Sequence, residues 1–270
     1  MKDIAIIGLG IIGGSLALSF KEKGYTIIGI NRSREPIEKA LQMGAIDEVA
    51  SLDAIPEVDV AFVCTTVTTV PRFTETVLNN TSKTIVIDVA STKGFIFKEL
   101  ENLPPEKFSR FIGGHPMAGS EKTGIEAAKK DLFLNATFFL VPNSYTSEET
   151  KIKVQNIVKT LRANPVFIDA NSHDKLVSII SHLPQLISTT LSLTAKTILG
   201  ENIKYSGRGY KDMTRLANSK FSVWRDIIYT NRENIIKAIE AYKSNLSEIE
   251  SLIDNWDEEA LSKLFEIANS

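Results

Sequence analysis

An α/β fold, a doubly wound parallel sheet followed by an all-helical domain, is what the sequence predicts, and three observations predict it. Short, nearly all-apolar runs alternate with helical segments through the first half of the chain. A glycine fingerprint, Gly8-Leu9-Gly10-Ile11-Ile12-Gly13, joins the first of those runs to the first helix. Past about Ala170 no convincing strand follows. The expected organisation is a dinucleotide-binding domain over residues 1–170 and a helical substrate and dimerisation domain over residues 171–270.

Taken in order, Ile4 to Gly8 reads as a strand and Gly14 to Lys23 as a helix. Thr26 to Ile30 is a second strand, and Pro36 to Met43 a second helix. Val58 to Cys64 and Thr84 to Val89 carry unbroken apolar runs, which suit parallel strands covered on both faces. Right-handed crossovers between such strands build the sheet of a Rossmann-type domain. Further strands are expected at Phe108 to Ile112, Ala136 to Val141 and Pro165 to Ile168. Between the last two, Ser147-Glu148-Glu149 offers a cap and first-turn acids for a helix reaching Arg162.

Ser172 to Leu199 is apolar on most faces, which predicts a buried helix, and Pro184 should kink it. Ile235, Ile239, Tyr242, Leu246, Ile249 and Ile253 recur at spacings of four and three, a heptad seam that needs a partner helix. A last helix is expected from Asp257, burying Leu261, Leu264 and Phe265. The Lys2 start could mimic a secretory signal, but the glycines and the missing cleavage pattern argue for a buried strand and loop. No run reaches the length expected of a membrane-spanning helix.

With 43% hydrophobic and 24% charged residues, the chain has the make-up of an ordinary globular protein. A net charge of -2 gives no reason to expect nucleic acid or an anionic membrane as partner. The single Cys64 excludes an intrachain disulfide, fits a reducing, cytoplasmic setting, and reads as a core thiol. No His/Cys/Asp spacing suggests a metal site.

The chemistry concentrates in Gly113-Gly114-His115-Pro116-Met117-Ala118-Gly119-Ser120-Glu121-Lys122, read as a loop at a strand end. A histidine beside a bound nicotinamide is a natural proton acceptor. Gly8, Leu9, Gly10, Ile11, Ile12 and Gly13 are expected to cradle the dinucleotide, with Thr65 and Ser91 at later strand ends joining them. Where an NAD enzyme usually places an acid for the ribose, this chain has Asn31-Arg32-Ser33. Arginine and serine suit a 2′-phosphate, so NADP is expected to be preferred, with NAD possible. His173 reads as structural or exposed, His182 as a core or ligand-binding histidine, and Arg215 as a helix residue able to pair with Asp212.

Together, Gly8 to Gly13, Asp88-x-x-Ser91-x-Lys93, the His115 segment, Ser181-His182-Leu183-Pro184 and Gly209-Tyr210-Lys211-Asp212-x-Thr214-Arg215 resemble the prephenate/arogenate dehydrogenase (TyrA) family. The resemblance spans nearly the whole chain. It implies a cytoplasmic enzyme of tyrosine biosynthesis that oxidatively decarboxylates prephenate, or arogenate, with hydride passing to NADP or NAD. It implies a homodimer with interlocked helical domains, and the chain is expected to leave no room for a fused mutase domain before Met1 or a regulatory domain after the helices. Residue by residue, it makes His115 the group that takes the ring hydroxyl proton and Ser91 a contact to that hydroxyl and the nicotinamide. Arg215 would hold a substrate carboxylate, His182 and Trp224 would lie near the substrate side chain, and Glu121 at the pocket entrance. A β-hydroxyacid dehydrogenase or a pyrroline carboxylate reductase shares the domain plan without calling for the His115 segment. A catalytically silent NADP-binding regulator is the rival of a different class.

Overall fold

The computed structural model describes residues 3–119 and 122–269. The chain forms two compact units. The first comprises Met1–Leu176 and Asn218–Asn231, and the second Val177–Ala217 and Arg232–Ser270.

In the first unit, β1 (Asp3–Ile7), α1 (Ile11–Glu22), β2 (Thr26–Ile30) and α2 (Arg34–Gln42) lead to a short β3 (Glu48–Val49). β4 (Val60–Val63), α3 (Val70–Asn80), β5 (Ile85–Asp88), α4 (Gly94–Leu100) and α5 (Pro105–Phe108) follow. Then come β6 (Phe111–Pro116), β7 (Thr137–Val141), α6 (Glu148–Thr160) and β8 (Asn164–Phe167). The described strands form one eight-stranded sheet of order β3-β2-β1-β4-β5-β6-β7-β8. Strand order reverses between β1 and β4, the switch point where such sheets bind ligands.

Successive residues on each strand face opposite sides, so the apolar runs feed two cores. Ile4, Ile6, Val60 and Phe62 pack with Leu16 and Phe20 of α1 and Val154 and Val158 of α6. Ala5, Ile7, Ala61 and Val63 pack with Val77 and Leu78 of α3 and Ile96 of α4. Unbroken hydrophobicity on both faces is what makes these strands interior ones. Close helix-sheet approach depends on Gly13, where a Cβ would lie 2.0 Å from the Gly8 carbonyl oxygen.

Two expectations need correcting here. The sheet is not parallel throughout: β6 and β7 pair antiparallel, Gly113 opposite Val141 and His115 opposite Phe139. The strand expected to stop at Ile112 instead continues through Gly113 and His115 to Pro116. β7 supplies the ladder partners that a glycine-rich stretch lacks when judged by propensity alone. At Gly114 only a glycine fits, because a Cβ would lie 2.4 Å from the Asp88 carbonyl oxygen. The helix from Ser147 behaves as expected, its hydroxyl oxygen accepting from the Thr150 amide at 3.1 Å.

α7 (Ala170–Val177) ends the first long stretch of unit one, and α10 (Phe221–Thr230) returns to that unit later. Hydrogen bonds hold the returning segment in place. The Thr68 hydroxyl donates to Asp226 Oδ2 at 2.9 Å, and the Thr92 and Thr230 hydroxyls lie 2.8 Å apart. Asn231 Nδ2 donates to the Asp174 carbonyl at 2.8 Å.

The second unit holds α8 (Leu183–Leu199), α9 (Arg208–Thr214), α11 (Arg232–Asp254) and α12 (Glu258–Asn269). The disturbance expected at Pro184 takes the form of a π turn over Ser178–His182, after which Pro184 occupies the first turn of α8. Proline removes a backbone donor there, and the wider π turn, in which the Leu183 amide reaches back to the Ser178 carbonyl, accommodates the loss. α8 is not buried all round: Leu193 is 60% and Ile198 74% exposed. Nor does α12 bury Phe265, which is 68% exposed. By length and composition alone, Ala170–Tyr205 is long and apolar enough to cross a membrane, correcting the expectation that no segment is. A core helix meets the same criterion.

Candidate active site

β1, β4 and β5 all deliver their carboxyl ends to the same edge of the sheet, and a cleft of about 510 Å³ opens there. Gly10, Ile12, Thr65, Ser91, Gly124 and Asp226 are among the residues lining it. The residues fit a dinucleotide on three grounds. A Cβ on Gly10 would meet nothing within 4 Å, so the fingerprint turn faces open space where a pyrophosphate needs close backbone approach. Gly10 caps α1 with no side-chain hydrogen bond, which leaves first-turn amides for an anion. Thr65 Oγ1 is buried and makes no hydrogen bond among the described residues, and a buried hydroxyl in that condition calls for a partner.

Asn31, Arg32 and Ser33 follow β2 and lead into α2. Asn31 already has work: its Oδ1 accepts from the Leu9 amide at 3.1 Å and its Nδ2 donates to the Ser33 carbonyl at 3.0 Å. The side chain standing in the usual acid's place thus ties the fingerprint turn to the end of β2. Arg32 and Ser33 are exposed, and Ser33 caps α2 without a side-chain bond.

His115 lies one strand away from β5, past the end of the β5–β6 register at Ile87 and Ile112. Its ring is buried, 8% exposed. The peptide before it is gripped from both sides. Asp88 Oδ1 accepts from the Gly114 amide at 3.1 Å, and Lys93 Nζ donates to the Gly114 carbonyl at 2.7 Å. Asp88 and Lys93 are themselves an ion pair, both fully buried. Burial pushes the Asp88 carboxyl up and the Lys93 ammonium down, each against the pull of the other's charge.

His115 Nδ1 lies 2.9 Å from His173 Nε2, and His173 Nδ1 lies 2.8 Å from Asp174 Oδ1. The sequence alone suggested a structural or exposed residue for His173; it is completely buried beside His115, so the exposed alternative falls. A separation of 58 residues hides that contact in the sequence. Asp226 was also missed. Its carboxylate, held below the ordinary range by the Arg225 guanidinium against the effect of burial, lines the cleft. Nothing in the sequence signals that α10 returns to this unit.

Trp224, on α10, is half-buried in the same unit. His182 and Arg215 belong to the second unit, His182 buried in the π turn and Arg215 exposed at the end of α9. Asp212 pairs with Arg208 at 3.5 Å rather than with Arg215. Glu121 lies outside the described residues. Cys64 lines the cleft, and burial pushes its thiol well above the ordinary range, with Asp88 adding to the effect.

The nucleotide-binding-domain model of the prephenate dehydrogenase family matches residues 16–167, and the family's dimerization-domain model matches residues 169–267. A prephenate dehydrogenase of Bacillus subtilis (strain 168) is 33% identical over 280 residues, covering 99% of this chain and 75% of that protein. Among solved structures, prephenate dehydrogenase from A. aeolicus in complex with hydroxyphenyl propionate and NAD+ has a TM-score of 0.90 at 30% identity, covering 99% of this chain and 96% of that one. Synechocystis arogenate dehydrogenase has a TM-score of 0.86 at 29% identity, covering 99% and 97%.

Proposed function

The chain belongs to the prephenate dehydrogenase family, and from that membership we propose that it oxidises and decarboxylates prephenate, with arogenate as the alternative substrate. The observation that carries this reading is His115, a buried imidazole gripped at the carboxyl edge of the sheet, one strand from the cleft that Ser91 lines. A nicotinamide dinucleotide held by the Gly10 turn, the first-turn amides of α1 and Thr65 would supply a hydride acceptor for the ring carbon that bears the hydroxyl.

The protein's own part is to position groups and to move one proton. His115 takes the hydroxyl proton as the carbon-oxygen double bond forms. Ser91 orients that hydroxyl against the cofactor, a matter of placement more than of chemistry. Loss of the ring carboxylate as carbon dioxide returns its electron pair to the ring, and the product is a phenol. The family resemblance assigns Arg215 to a substrate carboxylate, His182 and Trp224 to the substrate side chain, and Glu121, which lies outside the described residues, to the pocket entrance.

For the coenzyme, we read NADP as preferred and NAD as usable. Arg32 and Ser33 are exposed at the end of β2, and the absence of an acid there removes the group that would repel a 2′-phosphate. The second unit is read as the body of a cytoplasmic homodimer, supported by its match to a dimerization domain.

The test is turnover of both substrates with both coenzymes by the purified protein. His115→Asn should lower kcat by about 10²–10⁴-fold, the loss expected for a general base. Near-normal turnover would overturn the assignment. Arg32→Ala should remove an NADP preference of about ten- to a hundredfold in kcat/KM while sparing NAD, as expected for one hydrogen bond to a charged group. A wild type that prefers NAD would reject the coenzyme reading alone.

A further inference from the structure

Every nitrogen of the His173 ring is spoken for. Asp174 Oδ1 accepts from the Lys93 amide at 2.8 Å and faces His173 Nδ1 at 2.8 Å, while Oδ2 accepts from the Gly94 amide at 2.8 Å. With backbone donors on both oxygens, the carboxylate meets His173 as an acceptor, so His173 Nδ1 carries a proton. In a neutral His173 ring, Nε2 then carries a lone pair. Its partner at 2.9 Å, His115 Nδ1, must donate, and the lone pair of His115 is left on Nε2.

We propose that His173, anchored by Asp174, fixes His115 as the Nδ1-protonated tautomer and so makes Nε2 the nitrogen that takes the substrate's proton. His173 is a positioning residue, and the proposal rests on the reading of His115 as the base. The anchors are well held. His173 is fully buried, with the Phe139 ring edge-on at 5.4 Å and 82°. Asn231 Nδ2 binds the Asp174 carbonyl. Lys93 joins the two halves: its amide holds Asp174 and its ammonium holds the peptide that precedes His115. One displacement of Lys93 would therefore disturb both the ring's placement and its tautomer.

The relay also serves the step after proton uptake. Once His115 carries a second proton, its Nδ1–H still donates to His173 Nε2, with the Asp174 carboxylate behind it. In a buried site a counter-charge at the end of such a chain is felt strongly, because little water screens it. No atom of this chain needs to leave its place for the charge to be compensated.

Two variants separate this role from simple packing. His173→Phe keeps a ring of nearly the same shape but has no acceptor for His115 Nδ1–H. His173→Gln fits the space less well but offers a carbonyl oxygen. The relay predicts kcat for the Gln variant at least about tenfold above that for the Phe variant, with KM for substrate similar in both, since a base in the wrong tautomer loses rate rather than binding. Packing alone predicts the reverse order, and that order would overturn the proposal.

The second readout does not depend on how any His173 variant folds. The chain has three histidines, so ¹⁵N-histidine-labelled wild type gives three imidazole patterns, and His115→Asn identifies one of them. The expected result is a neutral His115 ring protonated on Nδ1 with an unprotonated Nε2. A His115 ring protonated on Nε2 would overturn the proposal while leaving the functional reading intact. Conversely, His115→Asn with near-normal turnover would remove the functional reading whatever the tautomer.

Discussion

Lys93 is a cation with no exposed surface, and the bonds its ammonium and amide donate reach three different segments of the chain. Its ammonium pairs with Asp88 and donates to the Gly114 carbonyl, and its amide binds Asp174. Such a pair adds little to stability as a unit, but half of it is costly, because the remaining charge stays buried. Lys93→Met should therefore destabilise the fold by about 3–5 kcal/mol, read as a lowered urea midpoint. Adding Asp88→Asn to that variant should recover part of the loss. Equal stability in Lys93→Met and wild type would mean the pair is not closed in solution. At this scale the sequence was partly legible. The spacing Asp88-x-x-Ser91-x-Lys93 marked the residues, and the His115 segment stood out by its residue types. What it hid was partnership. His173 carries no pattern of its own, since its significance lies in a contact with a strand 58 residues away.

The elements were legible where hydrophobic period decided them and illegible where a neighbouring strand did. The apolar runs around Ile6, Ile28, Phe62 and Ile87 declared themselves as interior strands, because nothing else buries both faces. β6 did not, since Gly113 and Gly114 have poor strand propensity and are kept there by the antiparallel partner β7 and the close approach of Asp88. A second tie between elements has a pH signature. Glu57, just before β4, accepts from the amides of Ser82, Lys83 and Thr84, which lead into β5. Burial raises its carboxyl, but those amides and the Thr84 and Ser82 hydroxyls bring it down to about 2. An unfolded glutamate titrates near 4.3 (roughly). The folded value is the lower one, so the stabilisation is present above the unfolded value and is lost as pH falls from there towards about 2. Glu57→Gln should thus flatten the decline in urea midpoint between about pH 4.5 and 2. A curve that keeps the wild-type slope would place the acid-sensitive group elsewhere.

At the scale of the whole molecule, the apolar faces of the second unit exceed what that unit covers by itself. Leu246 and Ile253 of the heptad seam are 51% and 56% exposed, as are larger parts of Ile198 and Phe265. So many large apolar side chains left open, on a unit that matches a dimerization domain, fit a surface covered by a second copy. The wild type should sediment as a dimer at micromolar concentration, and Leu246→Glu with Ile253→Glu should shift it towards monomer with loss of activity. A stable, fully active wild-type monomer would contradict this. The seam was legible in the sequence as a spacing without a partner, and the helical nature of the second half followed from it. The path of the chain was not, because no local signal announces that Phe221–Thr230 goes back to the first unit. That return has a consequence for synthesis. The sites that Asp226, Thr230 and Asn231 complete on Thr68, Thr92 and Asp174 stay vacant until the ribosome has passed residue 231. At translation rates of about 5–20 residues per second, the nascent nucleotide-binding unit waits on the order of seconds with one flank open, while residues of the helical unit emerge in between.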